Sequence, residues 1–570
     1  MRLASCSILL FFAGVARSAD VAPPTGGPPP GEAMKLGERI YREGILPSGE
    51  PMMAVAMGDI PVDGRMFTCD DCHQRSGIGS VEGTVITWPT NGKELFIPRR
   101  RTGAWKPPRT EEEKRSPRRQ LPPYWQQVKD VRPAYTDETL ARVLRMGVDP
   151  AGRKLDRVMP RYLLNDRDMA ILIHYLKNLS LVPAPGVDNT AITFATVVTE
   201  GVSAGDRKEM LSTLRAYVDA HNAQSRHEER RAKSGPFFRT ERNLAYRRIR
   251  LLVWELSGRP ETWRGQLEAR YREEPAFALL GGLAAGSWAP IHTFCEENRI
   301  PCIFPITDLP VVSESDWYTL YFSKGPYQEG ESAAKYLDQV ESLPPDARVV
   351  QVLRRGDQAG AVARGFEDAW GRFGRPPPVR RVLGEEETLS GHLLEELTGS
   401  HGPAVLLLWL GPGDLPALET LGKGPDRPKY VFLSSTLLNR ELSAVPDAAR
   451  DRVYVTYPSI LPQESGRRLD AVRGWLKSRK VPATDLEIQA RIYFLGMMLA
   501  ETIKHLRSEF FREYFLEGFD MMVDQDYAIA VYPRLTFGTG QRYASKGCYI
   551  VQLTKGPAPE PIRKSDWVIH

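Results

Sequence analysis

Residues Cys69-Asp70-Asp71-Cys72-His73 constrain this 570-residue chain more than any other stretch. Two thiols three residues apart, followed at once by an imidazole, form the attachment pattern of a c-type haem. Each thiol can add to one vinyl group of the porphyrin, and the histidine is then held beneath the iron as an axial ligand. The tether fixes the ring without a deep closed pocket, so an edge can stay open for electron exchange. The competing readings are a reduced CxxC redox pair or half of a zinc site. Against both, no second cysteine pair lies nearby and no βαβ pattern surrounds the motif. One covalent haem c is expected, with Cys69, Cys72 and His73 holding it.

The first residues agree with that chemistry. Met1-Arg2 precede an apolar run from Ile8 to Ala13, and small residues follow to Ala19. This is the pattern of a cleaved export signal over residues 1–19, and the run is too short to span a bilayer. Cys6 precedes the apolar run, the wrong place for a lipid-anchored cysteine. A Pro/Gly-rich lead follows over 20–34 and is expected to stay unpacked. The mature chain is expected to be soluble and periplasmic, where haem attachment and disulfides are both permitted. Cys295 and Cys302 are then either a disulfide or two buried thiols, and Cys548 reads as a small buried apolar residue. The formal charge of +5 includes no Lys/Arg block with interleaved aromatics, so nucleic-acid binding is not indicated.

From Lys35 the chain places Leu36, Ile40 and Tyr41 on one helical face, with Gly44 as a stop. A second helix starts after Thr136, a plausible N-cap, and runs to Gly147. Then comes Val158-Met159-Pro160, and Asn165-Asp166-Arg167-Asp168 caps a third helix carrying Leu172, Tyr175, Leu176 and Leu179. Helix, CxxCH, Met-Pro loop and capped final helix together resemble class I cytochrome c. The resemblance implies an all-α domain over 35–180, with Met159 as the sixth iron ligand and a relatively high potential. Met66, Met146 and His174 are weaker candidates: Met66 is too close to the attachment site, Met146 lies within a helix, and His174 faces the wrong side of a surface helix. Between them, Pro98 to Arg119 is basic and proline-interrupted, a solvated insertion or a patch that steers an acidic redox partner.

Residues 181–190 read as a linker, and the rhythm then changes to alternating strands and helices. Ile192–Val198, Arg248–Glu255, Phe277–Gly282 and Pro301–Ile306 form one set. Val349–Leu353, Ala404–Leu410, Lys429–Ser434 and Arg452–Pro458 form another. Such alternation implies parallel sheets with right-handed crossovers. Two successive α/β lobes behind an export signal resemble the type I periplasmic binding proteins, in particular the branched-chain amino-acid binding group. The resemblance covers about 191–553, leaving 554–570 as a tail, and the fold class overall is multidomain: an all-α cytochrome followed by a two-lobed α/β module.

That resemblance implies a ligand cleft where the strand ends of the two lobes face each other. By position its lining includes Gly286, Ser287 and Trp288, then Thr307 and Asp308, and from the opposite lobe Asp357 and Gln358. Ile306-Thr307-Asp308 stands where those proteins have an Ala-Ala-Thr type run, which argues against an ordinary amino-acid ligand. No Gly-x-Ser-x-Gly, phosphate loop or His-Glu-x-x-His occurs, so no catalysed reaction is expected. The expected function is periplasmic electron transfer by the haem. The module behind it binds a small molecule or docks a redox partner, such as a dehydrogenase or another cytochrome. The alternative is a solute receptor whose haem senses redox state or a diatomic gas, and Met159 on or off the iron separates the two.

Overall fold

Pro30 opens the first helix, α1 (Pro30–Glu43), because its missing N–H falls where a helix start has no partner for one. Gly44 closes it at φ +64°. In this computed structural model, which describes residues 28–82, 85–101, 130–233, 247–398, 404–421, 428–523 and 527–569, the chain divides into two units, Met1–Pro183 and Ala184–His570.

In the first unit α1 is followed by strands β1 (Met53–Ala56) and β2 (Ile60–Asp63), then by a short helix α2 (Cys69–His73). Next come β3 (Val81–Glu82), β4 (Val85–Ile86), α3 (Gly92–Leu95), β5 (Arg99–Arg101) and β6 (Asp130–Arg132). The unit closes with α4 (Asp137–Met146), β7 (Arg161–Tyr162) and α5 (Asp166–Asn178). Thr136 accepts from the Thr139 N–H at 3.2 Å and Asn165 from the Asp168 N–H at 2.8 Å, so both helices start where their caps predict. Helices α1 and α5 cross at Gly37, where a Cβ would fall 2.4 Å from Tyr175 Cβ and 2.8 Å from the Ile171 carbonyl. Beside that crossing the rings of Tyr41 and Tyr175 lie 5.4 Å apart. Ile40, Leu140, Leu144, Leu172 and Leu176 complete the core, and Cys69 is part of it.

Four sequence expectations for this unit need correction or fall outside the described residues. It is not all-α: β1 sits between β2 and β7 in an antiparallel three-stranded sheet, pairing Val55 with both Pro61 and Arg161. Met53 to Ala56 alternates exposed and buried residues, and Gly58 at φ +110° supplies the turn. The Pro/Gly lead ends earlier than expected, since Pro30 to Met34 are helical and Ala33 is buried. His174 is buried rather than surface-facing. The export signal, the start of the lead and the basic stretch beyond Arg101 lie outside the described residues.

The second unit has two parallel α/β lobes. The first contains β8 (Ala191–Thr199), α6 (Ala204–Lys233), β9 (Arg248–Leu256), α7 (Pro260–Glu273), β10 (Ala278–Leu280), α8 (Ala289–Glu297), β11 (Cys302–Ile303) and β12 (Thr319–Leu320). Its sheet order is β12-β11-β10-β8-β9, every pair parallel. Helix α9 (Pro326–Asp338) leads into the second lobe: β13 (Val349–Arg354), α10 (Asp357–Arg372), β14 (Val379–Leu383), α11 (Gly391–Thr398), β15 (Val405–Trp409), β16 (Tyr430–Ser434) and β17 (Val453–Tyr457). These strands order as β14-β13-β15-β16-β17, the same pattern again. Their fully buried apolar runs, such as Val405 to Trp409, are what a sheet covered on both faces requires.

Three helices follow, α12 (Pro462–Ser478), α13 (Leu486–Leu506) and α14 (Arg512–Asp520), and α13 packs on the first lobe. There a Cβ at Gly496 would fall 2.5 Å from the Tyr217 ring. Tyr543 then bridges Tyr321 of the first lobe before β18 (Gly547–Leu553) pairs antiparallel with β17 of the second. The chain therefore passes between the lobes three times, after β12, after β17 and before β18. The expected tail 554–570 is part of the fold: β19 (Pro561–Arg563) and β20 (Val568–Ile569) both pair with β18. Nor is 184–190 a free linker, because the Ala184 N–H donates to Phe510 and Val187 bridges Ile192. Cys295 and Cys302 are both buried free thiols in one apolar cluster, and Cys548 is a buried free thiol as expected.

Candidate haem site and ligand cleft

A helix turns about 100° per residue, so Cys69, Cys72 and His73 share one sector of α2 while Asp70 and Asp71 point away. So short a helix needs its cap. The Thr68 hydroxyl accepts from the Asp71 N–H at 3.3 Å, and the Asp71 carboxylate accepts from the Thr68 N–H at 2.9 Å. Gln74, at φ +63°, ends it.

His73 is buried, and its Nδ1 lies 2.8 Å from the Trp88 carbonyl oxygen. A carbonyl only accepts, so Nδ1 carries the proton and Nε2 presents a lone pair. That Nε2 is buried without a hydrogen-bond partner. Burial pushes the imidazole down to about 4, with the Trp88 contact opposing, so it is neutral near pH 7. A neutral ring fixed through one nitrogen, with the other bare, is what an iron ligand must be. Cys69 is buried, its thiol pushed up to about 12 by burial with a hydrogen bond to Tyr162 opposing, whereas Cys72 is exposed. Met159 is half-buried and packs against the cluster that includes Cys69. Met66 and Met146, by contrast, are 75% and 60% exposed. These residues fit a covalent haem. Among the described residues no cluster of three or more His, Cys, Asp or Glu offers a separate metal site. Trp88 had no signature in the sequence, because a backbone carbonyl has none.

In the second unit the cleft residues follow from the sheet order. Loops at strand carboxyl ends, where the order reverses, form the crevice of such folds. Ser287 follows β10 and Asp357 starts α10 directly after β13, and both line a cavity of about 490 Å³. Leu309 to Val312 give it an apolar wall, and Asp357, Ala361, Arg364 and Asp368 form one stripe of α10 opposite. Their spacing of four, three and four residues was a readable helical signal. The Tyr327 hydroxyl donates to Asp368 at 2.8 Å. Lys324 lies 3.0 Å from Glu331, which is buried and also bonded by Arg372. The Arg364 and Asp357 side chains are exposed in the cavity. Apolar on one wall and charged with both signs on the other, it suits a small amphipathic polar molecule.

The other predicted residues fare differently. Thr307 lines a second, smaller cavity together with Ser323, Tyr532 and Arg491. Asp308 is exposed and lines neither cavity, and Gln358, half-buried on α10, lines neither. Trp288 is wholly buried in the core, contrary to expectation. Its ring fills the space beside Gly282, where a Cβ would fall 2.6 Å from the indole. Gly286 serves its loop through φ +96°.

No protein-family profile matches the chain, and no curated protein matches it in sequence. Among solved structures it is similar to a putative branched-chain amino acid ABC transporter from Rhodospirillum rubrum. The two share 14% identity, with 67% of this chain and all of that one covered, at a TM-score of 0.46. A putative branched-chain amino acid ABC transporter from Silicibacter pomeroyi gives 15% identity, 66% and 96% coverage and a TM-score of 0.46. The solute binding protein of an ABC transporter from Rhodopseudomonas palustris BisB5, solved with 3,4-dihydroxybenzoic acid, gives 12% identity, 67% and 98% coverage and 0.44.

Proposed function

We propose that this chain is an exported monohaem c-type cytochrome fused to a two-lobed α/β module that binds a small molecule, and that it carries electrons in the periplasm. The observation that carries the reading is His73: a neutral imidazole held by the Trp88 carbonyl, with a buried and unpartnered Nε2, on the helix face that also bears Cys69 and Cys72. When bound, haem c supplies one-electron exchange between Fe(II) and Fe(III). Cys69 and Cys72 would hold the ring covalently, and His73 and Met159, the latter beside the same core, would ligate the iron. The capping box of Thr68 and Asp71 fixes the helix that orients all three attachment residues. The amphipathic cavity at Ser287, Tyr327, Asp357 and Arg364 supports binding of a small solute by the second unit. A periplasmic dehydrogenase or another cytochrome is the partner class that an electron carrier of this kind serves.

The test is the visible spectrum and intact mass of the exported, purified protein. Covalent haem, with a weak methionine–iron band toward the red that disappears in Met159→Ala, is the expected result. A mass without haem ends the reading. A high-spin spectrum unchanged by Met159→Ala would instead turn it toward a gas- or redox-sensing receptor.

A further inference from the structure

The sequence leaves the basic stretch after Pro98 as either a solvated insertion or a docking patch. Its first arginine does something else. Arg99 is half-buried, and its guanidinium carbon lies 4.4 Å from the centroid of the Trp88 ring. Trp88 is the residue whose carbonyl oxygen holds His73 Nδ1 at 2.8 Å. Among the described residues Arg99 makes no hydrogen bond or ion pair, so the indole face is its direct contact.

The hairpin carries it there. Strand β5 pairs antiparallel with β6, which sets Arg99 opposite Arg132. Arg132 is occupied elsewhere. It donates to the carbonyls of Glu94, Leu95, Ile97 and Pro133 at 2.6–3.4 Å and stacks on Tyr135 at 4.5 Å. The hairpin is thereby tied to the end of α3, and Arg99 is left for Trp88.

Trp88 needs that cover. The residues around it are held by main chain, Thr87 N–H on the Ser80 carbonyl at 2.9 Å and Thr90 N–H on that of Gly77 at 2.7 Å. Gly79 permits the approach, since a Cβ there would stand 2.1 Å from the Thr87 carbonyl oxygen. The indole itself is 40% exposed, so core packing does not fix it. Rotation of the Trp88 peptide would take its carbonyl off His73, and a cation on the ring face opposes that rotation.

We propose that Arg99 is a positioning residue for the iron ligand. Stacked on Trp88, it holds the peptide that fixes the tautomer and ring of His73, and so sets how strongly Nε2 donates. The inference rests on the haem reading above.

The test uses the full-length exported haem protein, reduced, with isotope-labelled histidine. Exchange of the His73 Nδ1 proton with solvent is followed by NMR. In Arg99→Ala it should speed up about tenfold, the worth of one such stack. Arg99→Lys, which still offers the ring a cation, should recover part of the protection. Trp88→Leu keeps the carbonyl and the Arg99 cation, should speed exchange as much as Arg99→Ala, and covers the case in which Arg99→Ala takes up no haem. Because Arg99 acts through the ring, the double variant should exchange no faster than Trp88→Leu alone. The midpoint potential is the second readout. A looser hydrogen bond makes the imidazole a weaker donor and Fe(III) less favoured, so the potential of Trp88→Leu should rise. With haem in place, unchanged exchange in both single variants, additive effects in the double variant, or a potential that does not rise overturns the proposal. A purified protein whose mass lacks haem ends the haem reading and this proposal with it.

Discussion

Helices α9 and α10 cross with almost no side chain between them. A Cβ on Gly365 would stand 1.9 Å from the Tyr327 carbonyl oxygen, and one on Gly330 would stand 2.0 Å from that of Val362. Both obstacles are main chain of a facing helix, which cannot swing aside. Replacing Gly365 by alanine leaves the contact about 1.5 Å short of the 3.4 Å at which it becomes ordinary, so the helices must part. Alanine gains about 1 kcal/mol of helix propensity. Parting the helices strips packing from Ala333, Ala334, Val362 and Phe366, which line that seam, and overpacking of this kind costs about 1–3 kcal/mol, occasionally more. With the clash against backbone at the upper end of that range, the net expectation is a loss of about 2 kcal/mol. Gly371, near the end of α10, has nothing within 4 Å of its would-be Cβ and is the control. Gly371→Ala should be neutral or stabilising by up to about 1 kcal/mol. Urea denaturation followed by far-UV circular dichroism compares the three proteins. A Gly365→Ala variant as stable as Gly371→Ala would show that the helices do not approach so closely.

Two further outcomes are expected. Glu329 is wholly buried, its carboxyl raised above the ordinary range by burial, with hydrogen bonds from Thr436, Thr456 and Ser434 opposing. The folded state then keeps a proton that the unfolded chain releases, so stability should fall as pH rises from the ordinary carboxylate range through the raised value. Urea midpoints across that window should show this slope in wild type and less of it in Glu329→Gln; equal slopes would remove Glu329 as its source. Arg512 is buried and donates to the carbonyls of Phe277, Ala276, Asn298 and Arg299 and to the Tyr271 hydroxyl, at 2.6–3.4 Å. Arg512→Lys keeps the charge but loses the fork, and should lower the stability of the second unit by about 1–3 kcal/mol in the same denaturation assay; a loss below about 0.5 kcal/mol would contradict that role.

Local signals in the sequence were readable where the physics is local. Gly44, Thr136 and Asn165 end or start helices through their own side chains or their lack of one. The buried strands announce themselves through apolar runs such as Val405 to Trp409. Ser287 and Asp357 were expected from the resemblance to the binding proteins rather than from any local signal, and both line the larger cavity. What failed depended on distant partners. Trp288 sits in a cleft-type loop, yet its ring is drawn into the space left by Gly282. Met53 to Ala56 is four residues long, too short to stand out as a strand until Arg161 and Tyr162 pair with it from across the unit. Arg491 meets Thr307 only in the folded chain, and no spacing rule joins residues so far apart. The Trp88 carbonyl that orients His73 belongs to the backbone and leaves no mark in composition.

The three passages of the chain between the lobes have a consequence for severing the protein. One covalent strap would make the lobes two beads on a thread, separable by a single nick. Here a protease cutting between β12 and α9 leaves the strap after β17 and the one before β18 intact, and cutting either of those leaves two others. The walls of the cleft are therefore held at a high effective concentration of one another even in a cut chain, and all three straps must be cut before either lobe can leave.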